Sequence, residues 1–291
     1  MLAFCGVSTL AQTASTAELR GRIEQIARAA QGRVGATATV LETGESVALQ
    51  GDMRFPMQSV YKLPIGMAVL NQVDRGALKL EQKIQVRRSD FVSSGQHSPI
   101  RDQHPHGVDL SLSELLRFNV SESDGTACDV LLRVVGGAQA VNRYLRSLGI
   151  QGITVATTEK AMARNQMVQY RNWATPDAMV ALLRALHEGR GLSAPSRTRL
   201  LQWMTETPTS ARRIKGLLTA GVVVAHKTGT SGTSGGLTRA TNDVGLITLP
   251  NGRHLAIAVF VSDSPADDAV REGVIARIAQ AAWEFWSGQG H

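Results

Sequence analysis

Hydrophobic residues recur every three or four positions in several stretches of the chain, which places them on one face of a helix. In residues 18–31, Leu19 and Ile23 share such a face, and Gly32 ends the pattern. The other predicted helices cover residues 126–135, 138–148, 175–187 and 270–285. A capping box, Ser111-x-x-Glu114, predicts the start of one more.

Strands are predicted near both ends of the chain, where β-branched or alternating apolar residues replace the helical spacing. They cover residues 34–40, 46–49, 222–227, 244–249 and 255–261. Because a helical block separates the two groups of strands, we expect two lobes built from three segments. The predicted α/β lobe comprises residues 18–54 and 208–291, the helical lobe comprises 55–207, and a functional cleft is expected between them.

The composition excludes several classes of protein. Of the 291 residues, 43% are hydrophobic and 19% are charged, which excludes a disordered chain. No apolar run is long enough for a membrane span, and two cysteines cannot form a disulfide framework or a four-thiolate zinc site. The net charge of +7 suits nucleic acid or an anionic small substrate, but scattered basic residues and 4% aromatics argue against nucleic acid. We expect no metal and no cofactor.

Ser59-Val-Tyr-Lys62 carries the first candidate chemistry. If a helix begins near Ser59, Lys62 lies one turn along on the same face, with its amine in reach of the serine hydroxyl. A helix N-terminus also favours developing negative charge, as an activated nucleophile requires. Alone the spacing is weak evidence, because Ser-x-x-Lys arises about once by chance in a chain of this length. A capping serine beside a solvated lysine explains it better.

Two further motifs change that balance. Lys227-Thr-Gly-Thr230 ends a predicted strand, where glycine lets the backbone approach a ligand and the strand edge offers N–H donors. Ser123-Asp124-Gly125 lies between two predicted helices. Ser-x-x-Lys, Ser-Asp-(Asn) and Lys-Thr-Gly, in this order, form the motif set of class A β-lactamases and penicillin-binding proteins.

From about residue 18 to 286 the chain resembles a class A serine β-lactamase, and several stretches resemble the PER-type extended-spectrum branch. These stretches are Met57-Gln-Ser-Val-Tyr-Lys62, Ser98-Pro-Ile-Arg-Asp102, Ala127-Cys-Asp129, Val168-Gln-Tyr170 with Asn172-Trp173, and His226-Lys-Thr-Gly-Thr-Ser-Gly232. The resemblance implies an antiparallel five-stranded sheet flanked by helices, with an inserted all-α lobe. It also implies a monomer that hydrolyses the β-lactam amide of penicillins and oxyimino-cephalosporins through an acyl-serine.

The resemblance gives four positions a catalytic role. Ser59 is expected to be the acylated nucleophile and Lys62 its partner, while Ser123 relays a proton to the leaving nitrogen. Glu159 falls where the general base of the Ω-loop lies, and it is expected to activate the deacylating water. Whether Lys62 or Glu159 takes the Ser59 proton is disputed across the class.

The same resemblance assigns the binding residues. Lys227, Thr228 and Thr230 are expected to bind the substrate carboxylate and amide, with Arg213 as an extra cation. The backbone N–H groups of Ser59 and Thr230 are expected to form the oxyanion hole.

Three positions depart from the family pattern. Gly125 replaces the asparagine whose amide would bind the substrate, so we expect altered substrate orientation. Ala163 stands four residues after Glu159, where an asparagine commonly helps to hold the hydrolytic water. Thr157 and Asn172 replace an Arg–Asp ion pair, which implies a loop held differently and a roomier cleft.

Two other functions use the same scaffold. A penicillin-binding D-Ala-D-Ala peptidase, or a sensor that is acylated without turnover, differs from a β-lactamase by lacking a deacylating carboxylate. Glu159 in its matching context favours the β-lactamase.

Residues 1–17 are predicted to be the remnant of a signal peptide. A short apolar stretch precedes two small-x-small cleavage sites, Thr9-x-Ala11 and Ser15-x-Ala17, although no basic residue precedes Arg20. A frayed N-terminal arm is the alternative. We therefore expect bacterial export, to the periplasm or the medium.

Overall fold

The computed structural model describes residues 5–288 and shows a central antiparallel sheet with helices on both faces. The helices are α1 (Cys5–Ala27), α2 (Lys62–Asp74), α3 (Pro99–Gln103), α4 (Leu112–Val120), α5 (Gly125–Val134), α6 (Gly137–Ser147), α7 (Glu159–Arg164), α8 (Pro176–His187), α9 (Ala194–Thr205) and α10 (Asp268–Ser287). The predicted signal-peptide remnant lies partly outside the described residues, and from Cys5 onward it belongs to α1.

Five strands form the main sheet, in the order β2-β1-β12-β11-β8. The strands of the described chain are β1 (Arg33–Val40), β2 (Ser46–Leu49), β3 (Phe55–Pro56), β4 (Lys83–Val86), β5 (Val108–Ser111), β6 (Ile153–Thr154), β7 (Trp173–Ala174), β8 (Val224–Thr230), β9 (Thr233–Ser234), β10 (Leu237–Thr238), β11 (Thr241–Thr248) and β12 (His254–Ser262). All neighbours in the main sheet are antiparallel, as the family resemblance implied.

Alternate residues of the sheet face two different cores. Val34 of β1 and Ile257 of β12 belong to the core that packs on α1 and α10. Ala258 and Phe260 of β12 face the other way, into the core that contains α8 and the remaining helices. The sheet therefore separates its two-helix cover from the helical block, and its β8 edge lies beside the start of α2.

Side-chain caps fix where several helices begin. Ser111 and Glu114 form the predicted capping box at the start of α4, and Thr175 caps α8 at its predicted start. Asp124 caps α5 by accepting a hydrogen bond from the backbone of Ala127, which leaves Ser123 immediately ahead of a helix.

Two local features differ from the sequence prediction. The edge strand β8 begins at Val224 and runs on to Thr230, because pairing with β11 continues through the whole motif, with Lys227 opposite Val244 and Thr230 opposite Thr241. The helical segment near Ser59 begins as a 3₁₀ turn, Gln58–Tyr61, before α2. Within residues 5–288, no helix combines the length and the apolar character needed to cross a membrane.

Candidate active site

A cleft of about 550 Å³ opens where β8, the first turn of α2 and the segment after Thr158 meet. The predicted site residues that line it are Ser59, Lys62, Ser123, Glu159, Thr228 and Thr230. Three others, Lys227, Arg213 and Gly125, are buried behind this lining.

Ser59 lies in the tight turn that leads into α2. Gln58 before it has a left-handed backbone, with φ of 45°. The turn brings the Ser59 hydroxyl to 2.8 Å from Lys62 Nζ, which donates to it and, also at 2.8 Å, to the carbonyl oxygen of Ser123. Because Lys62 is 2% exposed, its ammonium is held by protein acceptors rather than by water.

The Glu159 carboxylate faces into the cleft and forms an ion pair with Lys62, with 2.8 Å between Oε1 and Nζ. Burial disfavours the ammonium, but the charge and hydrogen bond of Glu159, together with Cys128 and Asp124, outweigh burial and raise the pKa of Lys62. Lys62 is therefore fully protonated in the resting site. It can accept a proton from Ser59 as it gives one to Glu159.

Hydrogen bonds to the backbone of Glu159 hold it in place. Its N–H donates to Asp129 Oδ1 at 2.8 Å, and its carbonyl oxygen accepts from Gln96 Nε2 at 2.7 Å. Burial raises the pKa of Asp129 to about 6, although the hydrogen bonds that it accepts from the backbone N–H groups of Lys160 and Glu159 lower it. Neither partner was predicted from the sequence. The stretch ending in Asp129 was a signal for that residue, whereas no local pattern indicates Gln96.

Ser123 and Lys227 form the second polar pair of the cleft. Lys227 Nζ donates to Ser123 Oγ at 2.9 Å, and Ser123 has a left-handed φ of 58°. Burial, together with the Lys62 ammonium, lowers the pKa of Lys227 to about 7. Lys227 therefore changes charge near neutral pH, and a bound anion would favour its ammonium form.

Gly229 allows β8 to approach the nucleophile turn closely. A Cβ at this position would lie 2.4 Å from the carbonyl oxygen of Met57 and 3.1 Å from the backbone nitrogen of Ser59. A side chain would push the strand away, which explains why glycine stands between Thr228 and Thr230.

Arg213 lies behind β8 and is 3% exposed. Its guanidinium donates to the Thr230 hydroxyl at 2.6 Å and to the carbonyl oxygen of Asn242 at 2.9 Å, and it forms an ion pair with Glu272. Arg213 therefore reaches the cleft through the Thr230 hydroxyl and not through its own surface, so the extra cation that the resemblance implies lies behind the strand.

The two short residues of the site have different surroundings. A Cβ at Gly125 would lie 3.3 Å from the carbonyl oxygen of His97 and 3.4 Å from the methyl groups of Val92, so this wall would have to move for any side chain. Ala163 is exposed and lines the cleft. Neither position supplies the amide side chain that the family pattern has there.

Asn172 takes the place of an ion pair in holding the loop. It is fully buried, its Oδ1 accepts from the N–H groups of Ala156 (2.7 Å) and Thr157 (2.9 Å), and its Nδ2 donates to the Thr157 carbonyl oxygen (3.1 Å). Gln58 adds a 2.6 Å hydrogen bond to Gln169 across the base of the loop. Neutral groups thus fix the base of the loop that carries Glu159.

The assembled groups suit nucleophilic acyl transfer. A serine hydroxyl at a helix start has a proton path to a carboxylate, and a second serine is paired with a lysine. The inward carboxylate can also activate water, so the site has the parts for both forming and hydrolysing an ester.

Comparison with known proteins gives concordant results. The sequence profile of the "Beta-lactamase enzyme family" matches residues 18–286. The chain is 38% identical to Beta-lactamase VEB-1 of Pseudomonas aeruginosa, over 94% of this chain and 92% of the relative. It is 39% identical to Extended-spectrum beta-lactamase PER-1 of the same organism, over 98% and 92%.

Solved structures similar to this chain are also β-lactamases. A β-lactamase from Chitinophaga pinensis superposes with a TM-score of 0.90 at 46% identity, covering 92% of this chain and 98% of the other. The TLA-1 extended-spectrum β-lactamase superposes with a TM-score of 0.91 at 42% identity, covering 94% and 99%.

Replacing Asn172 tests how the loop is held. In Asn172→Ala, two buried N–H groups lose their acceptor, and we expect a loss of about 2–4 kcal/mol in the free energy of unfolding. The amides of Ala156 and Thr157 should exchange with solvent faster. Urea unfolding and hydrogen exchange measure both effects, with the exposed neighbour Arg171→Ala as control. Unchanged protection of the two amides in Asn172→Ala would contradict this account.

Proposed function

The chain belongs to the class A β-lactamase family, and we propose that it hydrolyses β-lactam antibiotics through an ester on Ser59. The observation that carries the proposal is the inward Glu159 carboxylate, which lies 2.8 Å from Lys62 Nζ, itself 2.8 Å from the Ser59 hydroxyl. A carboxylate so close to the acylated oxygen can deliver water to the ester.

Acylation begins when Ser59 Oγ attacks the lactam carbonyl. Lys62 takes the hydroxyl proton as it gives one of its own to Glu159, because the nitrogen of a resting ammonium group has no lone pair with which to accept a proton. The N–H groups of Ser59 and Thr230 stabilise the oxyanion, and each such donor contributes about 3–4 kcal/mol when deleted singly. Ser123 gives its proton to the leaving nitrogen, and the proton held by Glu159 then returns to Ser123 Oγ, which leaves Glu159 ionised.

Deacylation uses the same carboxylate a second time. Glu159 takes a proton from a water molecule as that water attacks the ester carbonyl, and Ser59 recovers a proton when the ester bond breaks. A positioned general base contributes roughly 10²–10⁴-fold to such a step. Without it, the acyl-enzyme would persist.

The alternative functions on this scaffold do not need that second step. A D-Ala-D-Ala peptidase or a sensor would be acylated at Ser59 without a carboxylate poised for hydrolysis. The geometry of Glu159 and its two backbone partners, Asp129 and Gln96, therefore supports the hydrolase.

The β8 edge supports an anionic substrate. We infer that the substrate carboxylate binds between Lys227, Thr228 and Thr230. Since the Thr230 hydroxyl accepts a hydrogen bond from Arg213, its own proton is left to donate to the carboxylate. Arg213 thus acts as a positioning residue, and its charge adds to the positive potential behind the strand.

Cleft shape supports a wide substrate range. The short side chain of Ala163 in the cleft lining and the cleft volume of about 550 Å³ leave room for a bulky acylamide side chain. We therefore propose oxyimino-cephalosporins as substrates, alongside penicillins. The name of the PER-1 relative describes an extended-spectrum enzyme.

We also propose that the chain is exported and acts as a monomer. The apolar stretch and small-x-small sites of residues 1–17 support export. In the described part of the chain, the exposed large hydrophobic side chains are Met53, Met167, Leu217 and Val223. This is little apolar surface for an obligate interface.

The Glu159→Gln variant tests the function and the base together. Wild-type protein mixed with nitrocefin should turn over many equivalents. In Glu159→Gln the carboxylate that raises the pKa of Lys62 is absent, so a neutral Lys62 amine can take the Ser59 proton, and a mass adduct on Ser59 should form and decay roughly 10²–10⁴-fold more slowly. Absorbance and intact mass follow both events, with the exposed Glu81→Gln as the matched control. Unchanged steady-state hydrolysis in Glu159→Gln would refute the base assignment. A stoichiometric wild-type adduct without turnover would favour the peptidase or sensor.

Substrate range is tested at Ala163. The wild type should hydrolyse an oxyimino-cephalosporin as well as benzylpenicillin, and Ala163→Asn should lower kcat/KM for the cephalosporin more than for the penicillin, because the longer side chain narrows the cleft. The adjacent exposed Arg164→Asn is the control. Penicillin turnover without any cephalosporin turnover by the wild type would contradict the proposed range.

The charge of Lys227 predicts a pH dependence. Its pKa is lowered to about 7, so the free enzyme loses this cation as the pH rises through 7, and KM for a β-lactam should rise by up to about tenfold per pH unit above that value. Lys227→Arg keeps its charge throughout and should show a flatter profile. Parallel KM profiles for the two proteins between pH 6 and 9 would show that Lys227 is not the titrating group.

A further inference from the structure

A cluster of metal-ligating side chains lies outside the catalytic cleft. Glu42 follows β1, His187 ends α8, and His254 begins β12, and one ligand atom from each lies within 4.8 Å of the other two. The chain brings these residues together over separations of 145 and 67 positions (187 − 42 and 254 − 187). No short motif announces them.

Hydrogen bonds already orient the carboxylate between the two imidazoles. Glu42 Oε2 accepts from the backbone N–H of His254 at 2.9 Å, while Oε1 lies 2.7 Å from His254 Nδ1 and 3.8 Å from His187 Nε2. The two rings are 4.3 Å apart between centroids. One carboxylate oxygen therefore points towards a nitrogen of each ring.

The surroundings favour neutral imidazole at His187. Burial, followed by the effect of His254, lowers the pKa of His187, and a neutral ring has a lone pair for a metal. Its charged neighbours offset one another, because Glu188 follows it in sequence and the Arg197 guanidinium donates to its carbonyl oxygen. The site itself contributes one negative charge, from Glu42.

We propose that Glu42, His187 and His254 form a binding site for a divalent transition metal ion, with zinc the best match. Two imidazoles and one carboxylate are a common zinc ligand set, with metal–ligand distances of about 2.0–2.2 Å. Tetrahedral geometry needs ligand atoms about 3.3 Å apart. The three side chains are 28–37% exposed, so they have room to move to these separations. Water would take the fourth coordination position.

The site lies at the opposite end of the sheet from the chemistry. Thr230 pairs with Thr241, and Thr241 pairs with Val261 of β12. His254 lies seven residues before Val261 in β12, which corresponds to about 24 Å of strand. A metal here would join the end of β1, the end of α8 and the start of β12. Its effect is therefore on stability and not on the reacting groups.

Zinc titration of tag-free protein tests the proposal. Calorimetry with zinc chloride should give one site per chain, and zinc should raise the midpoint of thermal unfolding. His187→Ala, His254→Ala and Glu42→Gln should each weaken zinc binding by about tenfold or more, since even outer partners of a metal site commonly contribute that much.

His106→Ala is the matched control, because His106 is exposed and belongs to the chain's His104-Pro-His106 pair. It should bind zinc as tightly as the wild type. Circular dichroism establishes whether each variant is folded. If a histidine variant does not fold, Glu42→Gln still tests the site, because it keeps the shape of the side chain. Absence of a stoichiometric zinc site in the wild type would overturn the proposal. So would wild-type affinity in folded His254→Ala and Glu42→Gln.

Discussion

The buried ion pair between Lys62 and Glu159 is the constraint on which the rest of the site depends. Both side chains are nearly excluded from water, and removing one partner of such a pair commonly costs about 3–5 kcal/mol because the other charge is left uncompensated. The fold must therefore keep Glu159 turned inward. Asp129 and Gln96 hold its backbone, and Gln96 also donates to Oε2 at 3.4 Å, which leaves Oε1 facing Lys62 for proton transfer.

A neutral residue suits the base of the loop better than a second buried ion pair would. Two charges at Asn172 and Thr157 would have to be desolvated beside the Lys62–Glu159 pair, whereas one amide satisfies two N–H groups and one carbonyl oxygen. Asn172 thus holds the base of the loop, whereas the part of the loop at Ala163 leaves the cleft open. Loop stability and cleft width are set by different residues, so one can change without the other.

Sequence predicted the parts of the site that depend on local geometry. Ser59 and Lys62 are one helical turn apart, and Lys227 to Thr230 belong to one strand, so their proximity follows from the element alone. Gln96 meets Glu159 across 63 positions and Asp129 meets it across 30, and no periodicity encodes such contacts. The route by which Arg213 reaches the cleft, through the Thr230 hydroxyl, was not predictable for a related reason: sequence does not tell which side of β8 a distant guanidinium will occupy. The five-stranded sheet was predicted through family resemblance, since alternation predicts strands but not their order.

The two ends of the sheet differ in their contributions to the free energy of folding. At the catalytic end, Gln58 and Ser123 hold left-handed backbones without being glycine, each at a cost of about 1–3 kcal/mol, and two lysines are buried. That strain and desolvation cannot be relieved locally without moving the nucleophile or the proton path. Stabilising interactions must therefore lie elsewhere, in the two cores and at the far end of β12. A metal held by Glu42, His187 and His254 would supply stability at a distance that leaves the strained geometry intact.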